Sequence, residues 1–578
     1  MTTTDDHWFG DSTIGHRFPA WTRGNAADVF PDPFSPLAQW LVVRNGMCLG
    51  LRDGYIDIGA LDYDEFDHPE HPDLFHMFGG YLYNPLSLTR LLGARMPGVT
   101  PELIDQAFFD DKDEVPPYEA QDWHESADHE ERLGASMEWA MSVDHLPELD
   151  ADKALARSLR EHRPDLAILT DAALLARARS MVPYIQQIFE NAMRISSLAS
   201  VGPGALGAVC EAVGRPGDTI SLLAGIEVDS AEPSKNMWQL GRTIAASATL
   251  TAAFDAGVAD VLDRLRADGS DEASGFLDDF DQFLFDYGAR AANEYDLISP
   301  SWEVRPSMAL AAIDLMRRSD PANAPAARNA ASIAERDRIT AEIRGALAGD
   351  AEMLGTLDAA LRSSRVFLSG RERAKTNVVI VINEMRMALR EYGRRLVERG
   401  VLDQVEQLFM VTDTELDALR HRPDAYRDLI AQRWEQYRGL FDYEPVFVVN
   451  GTAPTLSDMA RRTESDADQA TAGTVLAGAA GSGGSATGRA RIVLDPTDPA
   501  DLEPGDILIA PQTDPAWVPL FVPAAAVVVN VGAMGSHAMI VSRELGIPCV
   551  VSVADATHLI PDGATVTVDG NAGTVTIH

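Results

Sequence analysis

The run GAMGSHAMIVSRELGIPCVV, residues 532–551, sets Gly532, Gly535 and Ser536 between an apolar, strand-like stretch and an amphipathic one, with His537 where a helix would begin. Backbone N–H groups at a helix start, together with the positive end of its dipole, stabilise an anion, and flanking glycines let that anion come close. An imidazole nitrogen is nucleophilic near neutral pH, and its N–P bond keeps a high transfer potential. A histidine placed here can take a phosphoryl group from one donor and pass it to another. The plainer reading of a lone histidine after Gly-Ser is an ordinary helix-start residue.

The elements that must hold such a histidine are legible around it. After the Gly-rich GSGGSATG come short β-rich runs, RARIVL, DILIAP, AAVVVNV, PCVVSV and TVTVDGNAGTVTI, interrupted by a single amphipathic helix near Ala538–Leu545. Asp569-Gly570-Asn571 reads as a hairpin turn because Gly and Asn tolerate positive φ. The expected unit, residues 474–578, is a compact mixed α/β domain of about a hundred residues, near the common domain size. Before it, TESDADQATAG, residues 463–473, has almost no large apolar side chain and reads as the interdomain linker.

Residues 134–440 carry apolar side chains at helical spacing, as in LDDFDQFLFDYGARAANEY and NVVIVINEMRMALREYGRRLVERG. The first 130 residues are richer in Pro, Gly, aromatics and acids and are grouped with this helical region. The fold class expected is α+β: a large, mainly α-helical domain over 1–465, then a small α/β domain.

Composition sets outer bounds. The chain has 578 residues, enough for several domains, with 46% hydrophobic and 24% charged residues. A formal charge of −40 argues against nucleic acid or an anionic membrane as partner, since both would be repelled over most of the surface. No apolar run approaches a bilayer span, and MTTTDDHWFG has neither a basic n-region nor an apolar h-region, so a soluble cytoplasmic protein is expected. Three cysteines, Cys48, Cys210 and Cys549, stand singly, which supports neither a disulfide framework nor a cysteine metal site. DHPEHPDLFH, residues 67–76, clusters histidines with carboxylates, but prolines interrupt it and the ligand spacing is irregular. HESADH sets His124 and His129 five apart, off a common helix face, and reads as a solvated acidic loop. No metal site is assigned.

The C-terminal stretch, from LEPGDILIAPQTDPAWVPLF through the His537 run, closely resembles the mobile phosphohistidine domain of the PEP-utilising family, which includes pyruvate phosphate dikinase, PEP synthase and rifampicin phosphotransferase. The matching residues are Gly532, Ser536, His537, Ile540, Arg543, Glu544, Gly546, Ile547 and Pro548; Ala533 replaces a second glycine, and Gly535 stands where the dikinases have a regulatory threonine. The resemblance implies that His537 is the phosphoacceptor, that Gly532, Gly535, Ser536 and Arg543 belong to its loop, and that the domain swivels. Dikinase-type regulation is not expected.

Three earlier segments resemble the drug-binding part of rifampicin phosphotransferases. They are FPAWTRGNAADVFPDPFSPL (18–37), YGARAANEYDLISPSWEVRP (287–306) and RERAK (371–375). By that resemblance Arg23, Asn25 and Asp296 are substrate-binding candidates, and Arg290, Glu294, Arg371 and Lys375 are catalytic ones. Ala289 occupies the place of a family histidine. Arg371 and Lys375, four apart, would share a helical face and could grip one phosphoryl group; Lys375 is one of only four lysines. Arg290 and Glu294 could equally be an (i, i+4) surface pair.

No P-loop and no strand-alternating barrel pattern precedes residue 476. An acceptor domain joined to a phosphohistidine domain resembles the large subunit of aryl-phosphate synthases such as phenylphosphate synthase and 4-methylphenyl-phosphate synthase. That resemblance implies a dikinase-type reaction of phenol or cresol catabolism. A separate ATP-grasp subunit would use ATP, with Mg2+ on that partner, to phosphorylate His537, and a small phenolic substrate would receive the group; this chain itself would bind no cofactor tightly. A rifampicin-like antibiotic phosphotransferase component and a PEP-dependent phosphocarrier remain the alternatives.

Overall fold

The computed structural model describes residues 7–72, 74–109, 115–462, 469–496, 502–513, 517–532 and 536–578. The chain divides into two compact units: residues 1–202, 295–299 and 362–464 form one, and residues 203–294, 300–361 and 465–578 the other. One division between the units falls within the linker expected at 463–473, of which residues 463–468 lie outside the described residues, but the second unit also takes in residues 203–294 and 300–361, which the sequence pattern groups with the first domain. As expected, the architecture is mainly helical with a smaller C-terminal α/β sheet. No described helix is long and apolar enough to cross a membrane.

In the first unit, the helix Ala351–Glu398, which enters this unit at residue 362, supplies a continuous apolar stripe. Val378, Val381, Ile382, Met385, Leu389, Tyr392 and Leu396 recur at three and four and are all buried. Two short strand pairs accompany the helices. Ala20–Thr22 runs antiparallel to Val448–Asn450, and His76–Phe78 forms a hairpin with Tyr81–Tyr83.

In the second unit, eight described strands form one sheet, in the order Val475–Ala477, Thr574–Ile577, Thr565–Asp569, Ser485–Ile492, Ile507–Ala510, Ala526–Val529, Cys549–Val551, Ala479–Ser482. Its centre, from Ser485–Ile492 to Cys549–Val551, is parallel. Parallel strands covered on both faces read as unbroken apolar runs, which is why ILIA and AVVV carry no polar alternation.

One face of that sheet, through Leu508, Val527, Val529 and Val551, shares a core with Met237, Trp238, Phe280, Phe283, Ile313 and Met316 of the helices Glu232–Ala246, Asp271–Tyr287 and Pro306–Arg318. The other face, through Ile507, Ile509 and Val528, packs with Val566, Val568, Val575 and Ile577. The terminal hairpin forms where expected, but its positive φ falls at Gly573, and Asp569 Oδ1 accepts the N–H groups of Asn571 and Ala572. The helix of the YGARAANEY segment ends at Tyr287, leaving the rest in turns.

Candidate functional site

Ile507–Ala510 and Ala526–Val529 are parallel neighbours, so the chain leaves both at the same edge of the sheet. Ligand chemistry in open parallel sheets gathers outside those carboxyl ends. Thr513 follows the first strand, and His537 heads the helix His537–Leu545 after the second. Thr513 Oγ1 lies 3.2 Å from His537 Nδ1. Phe521 stands edge-on to the imidazole at 6.2 Å between centroids. Thr513 is buried and His537 half-buried, less open than an exposed helix start. In the tautomer whose Nδ1–H donates to the threonine, Nε2 carries the lone pair and is the nucleophilic nitrogen.

Ser536 is the N-cap residue, extended at φ −62 and ψ 157, yet its hydroxyl caps nothing. That buried Oγ has no hydrogen-bond partner among the described residues. A hydroxyl left so beside the histidine is a ready donor to a phosphoryl oxygen. Gly532 is required by close approach: a Cβ there would sit 2.9 Å from Val551 Cβ and 3.2 Å from Ser536 Oγ. Gly535 lies outside the described residues.

Arg543 is placed differently from the loop role expected of it. It sits in the last turn of the helix, about 9 Å along the axis from His537, and its Nε donates to the Gly481 carbonyl at 2.8 Å. Burial lowers its pKa. It therefore ties the helix end to the strand Ala479–Ser482. Gly546 closes the same helix at φ 62, a left-handed C-cap, so its match to the family run has a backbone reason.

Arg371 and Lys375 lie on the unbroken helix Ala351–Glu398, where a spacing of four places them on one face. Both are partly exposed, with Arg371 Nε 3.9 Å from Glu372 Oε1. Farther along, Glu384 is buried and takes Arg163 at 2.8 and 2.5 Å, Arg177 at 3.4 Å and Arg160 at 3.8 Å. Three guanidiniums thus share one buried carboxylate. The Arg163 and Arg177 contacts span more than 200 residues of sequence, so no local pattern announces them.

Of the remaining candidates, Arg23, Asp296, Arg290 and Glu294 are buried and Asn25 is exposed. Arg23 is buried and donates to the Leu82 carbonyl at 2.5 Å and the Phe30 carbonyl at 2.9 Å, beneath Tyr81 and Tyr83. Burial lowers its pKa. Asn25 is exposed at φ 58, a turn position. Asp296 is fully buried and accepts from Ser35 N at 2.8 Å, Ser35 Oγ at 2.5 Å and Ile298 N at 3.2 Å. Its carboxyl is pushed up to about 6 by burial, against those hydrogen bonds. Arg290 and Glu294 are not a surface pair: they meet at 3.1 Å, each almost wholly buried, in turns rather than on a helix.

The histidines that the sequence left as loop residues are also buried. His129 Nε2 is 3.2 Å from Glu65 and 3.5 Å from Asp62, and His124 Nδ1 is 2.7 Å from the Tyr118 hydroxyl. Asp62, Glu65 and His129 are close enough together to be considered for a cation. However, Arg95 already grips both Glu65 oxygens, at 2.9 and 2.6 Å, and Arg132 pairs with Asp62 at 3.0 Å. The cluster is an ion-pair network.

His76 is of another kind. Neither ring nitrogen has a hydrogen-bond partner among the described residues, and the ring stacks on Trp21 at 3.6 Å and 9°. Burial, with a smaller contribution from Arg44, pushes its pKa down to about 3. Trp21 Nε1 is likewise buried without a partner. Each such group costs about 1–3 kcal/mol.

The profile of the rifampicin phosphotransferase fourth domain matches residues 189–372, and that of the PEP-utilising enzyme mobile domain matches residues 502–573. The chain is 33% identical to a rifampicin phosphotransferase of Streptomyces sviceus over 342 residues, covering 56% of this chain and 37% of that protein. It is 40% identical over 208 residues to an uncharacterized protein of Mycobacterium tuberculosis, covering 36% of this chain and 23% of the relative. It is 30% identical over 308 residues to the prodigiosin synthesizing transferase of Serratia marcescens, covering 52% and 33%. The chain thus spans well under half the length of each. Thr513 and His537 fall inside the second matched region, and the chain carries the mobile domain of PEP-utilising enzymes together with the fourth domain of rifampicin phosphotransferase.

Proposed function

We propose that this chain is a phosphotransferase component that takes a phosphoryl group on His537 Nε2 and transfers it to the hydroxyl of a small phenolic acceptor. The observation that carries the reading is the place of His537 at the carboxyl edge of the sheet with Thr513 Oγ1 3.2 Å from Nδ1; a proton on Nδ1 donated to that hydroxyl would leave Nε2 as nucleophile. The supply is assigned to a separate ATP-grasp subunit that binds ATP and Mg2+. In the delivery step the N–P bond breaks as the acceptor oxygen bonds phosphorus, and the hydroxyl proton leaves to a base or is already gone from a phenolate.

Transfer of this kind needs placement and charge more than covalent help. Arg371 and Lys375 are assigned to the phosphoryl oxygens, and Ser536 to holding the group on the histidine. Arg290 and Glu294 neutralise each other and carry no assigned step. The fourth-domain match at residues 189–372 favours a second reading, a larger hydroxylated drug as acceptor.

The test is to incubate the protein with labelled ATP and an ATP-grasp partner, then trace label on His537 and on a panel running from phenol to rifampicin. Acid-labile label that disappears in His537→Ala, followed by an aryl phosphate, supports the first reading. Label passing only to rifampicin selects the second, and label from PEP but not ATP moves the donor to the PEP-dependent branch.

A further inference from the structure

The strand Cys549–Val551 runs parallel to Ala526–Val529 and leaves the sheet at the same edge, and the loop that follows it is bound at three places to the segment leading to His537. Val553 N donates to the Val529 carbonyl at 3.1 Å. Thr557 N donates to Asn530 Oδ1 at 3.0 Å, and Asn530 Nδ2 to Thr557 Oγ1 at 2.8 Å. Ser552 Oγ donates to the Gly532 carbonyl. The last tether is the one that reaches the phosphohistidine loop.

Ser552 makes that bond from a left-handed backbone, φ 56, which a side chain disfavours, and Asp555 of the same loop stands at φ 52. These are two of the four non-glycine residues in this conformation among the described residues, so the strain is gathered in the loop tied to the His537 segment. Backbone held against its preference collects at functional sites. Ser552 is exposed, so packing of its side chain into the core does not account for the conformation. Gly532 in turn is shut between two neighbours: a Cβ on it would sit 2.9 Å from Val551 Cβ and 3.2 Å from Ser536 Oγ. A displacement of Gly532 is therefore passed to the Ser536 hydroxyl. We propose that Ser552 is a positioning residue of phosphoryl transfer: its hydroxyl pins the Gly532 carbonyl and, through Gly532, sets where the Ser536 hydroxyl meets a phosphoryl group on His537. The inference rests on the phosphotransferase reading above.

The test uses the whole protein with phosphoramidate, a small donor that needs no partner subunit. Nε2 attacks phosphorus, the P–N bond of the protonated donor breaks, and its electron pair leaves on ammonia. Uptake on His537 and the resonance of the product are followed by 31P NMR, and Tm is measured beside them. Ser552→Ala deletes the hydroxyl and keeps the left-handed strain, whereas Ser552→Gly deletes the hydroxyl and relieves it. The glycine variant should therefore have the higher Tm of the two, while both slow uptake alike, by about five- to tenfold, the worth of one hydrogen bond, and both shift the phosphohistidine resonance. A merely structural role would make the rate follow Tm. Uptake at the unaltered rate in either folded variant overturns the proposal, and so does a rate that rises and falls with Tm. His537→Ala supplies the blank. No label on His537 of the unaltered protein would sink the phosphotransferase reading and this inference with it, whereas equal labelling of the unaltered protein and both Ser552 variants sinks the inference alone.

Discussion

Thr513 Oγ1 and His537 Nδ1 meet at 3.2 Å because two parallel strands, adjacent in the sheet, release the chain at the same edge. The contact holds the imidazole in place, and in the tautomer with Nδ1–H donating to the hydroxyl it leaves Nε2 as the nucleophile. Thr513→Val preserves the shape and deletes the hydroxyl, so phosphoryl uptake on His537 should slow by about five- to tenfold, the worth of one hydrogen bond of about 1–1.4 kcal/mol. Thr513→Ser should recover most of the rate. Rapid-quench labelling of the histidine measures this, and an unchanged uptake rate in the valine variant would remove the threonine from the mechanism.

Arg371→Ala and Lys375→Ala should separate delivery from loading. If both cations face the phosphoryl group at the acceptor, each loss should slow delivery on the order of 100-fold, as removal of a transition-state donor does, while loading of His537 stays within about twofold. Single-turnover chase of labelled phosphohistidine into acceptor distinguishes the two steps. Equal impairment of both would place these residues elsewhere.

Part of this arrangement could be read directly from the sequence, and physics explains which part. Ile507–Ala510 and Ala526–Val529 are buried on both faces and therefore read as uninterrupted apolar runs, and the stripe at Val378, Val381, Met385 and Leu389 is a local 3.6-residue period. Thr513 gave no such signal, because its partner is 24 residues away and the contact depends on strand order. The Trp21–His76 stack joins two strands that lie far apart in sequence and do not pair with each other, and the burial of Arg23, Arg290 and Asp296 follows from packing that no periodicity encodes. Resemblance marked those three as candidates for function; their geometry binds the chain to itself.

Asp296 gives a pH signature. Its folded-state pKa is about 6 against an ordinary 3.8, so between those values the folded protein holds the proton more tightly than the unfolded chain. Its contribution is therefore complete below pH about 4 and is lost as pH rises through 6, leaving a buried carboxylate that costs up to about 3 kcal/mol. Asp296→Asn cannot titrate. Urea midpoints at pH 4, 5, 6 and 7 should show the unaltered protein losing ground to the variant across that window, and a constant difference would mean the carboxyl carries the same charge in both states.

Glu384 tests the cationic cluster. Its side chain is 0% exposed and is met by Arg160, Arg163 and Arg177. Glu384→Ala removes the carboxylate that three arginines share and should cost about 3–5 kcal/mol, as breaking a buried pair does. Glu384→Gln keeps the acceptor oxygen and should cost less. Thermal denaturation gives both values; a loss below about 1 kcal/mol in the alanine variant would show that solvent relieves the arginines.

The swivelling model faces its hardest test where the histidine-bearing sheet shares an apolar core with the helices Glu232–Ala246 and Pro306–Arg318. Two further contacts lie on the same seam: Arg328 Nη1 donates to the Val522 carbonyl at 3.1 Å, and a Cβ on Gly546 would sit 3.4 Å from Ser332 Oγ. That last spacing suits a disulfide, at the cost of a non-glycine residue at φ 62, roughly 1–2 kcal/mol of strain. The double variant Ser332→Cys and Gly546→Cys should work normally when reduced. When oxidised, it should complete at most one half-reaction, because His537 can then no longer leave this dock to visit both a donor and an acceptor. Full multiple turnover by the oxidised protein would mean that the sheet stays docked throughout and that donor and acceptor come to His537 in turn.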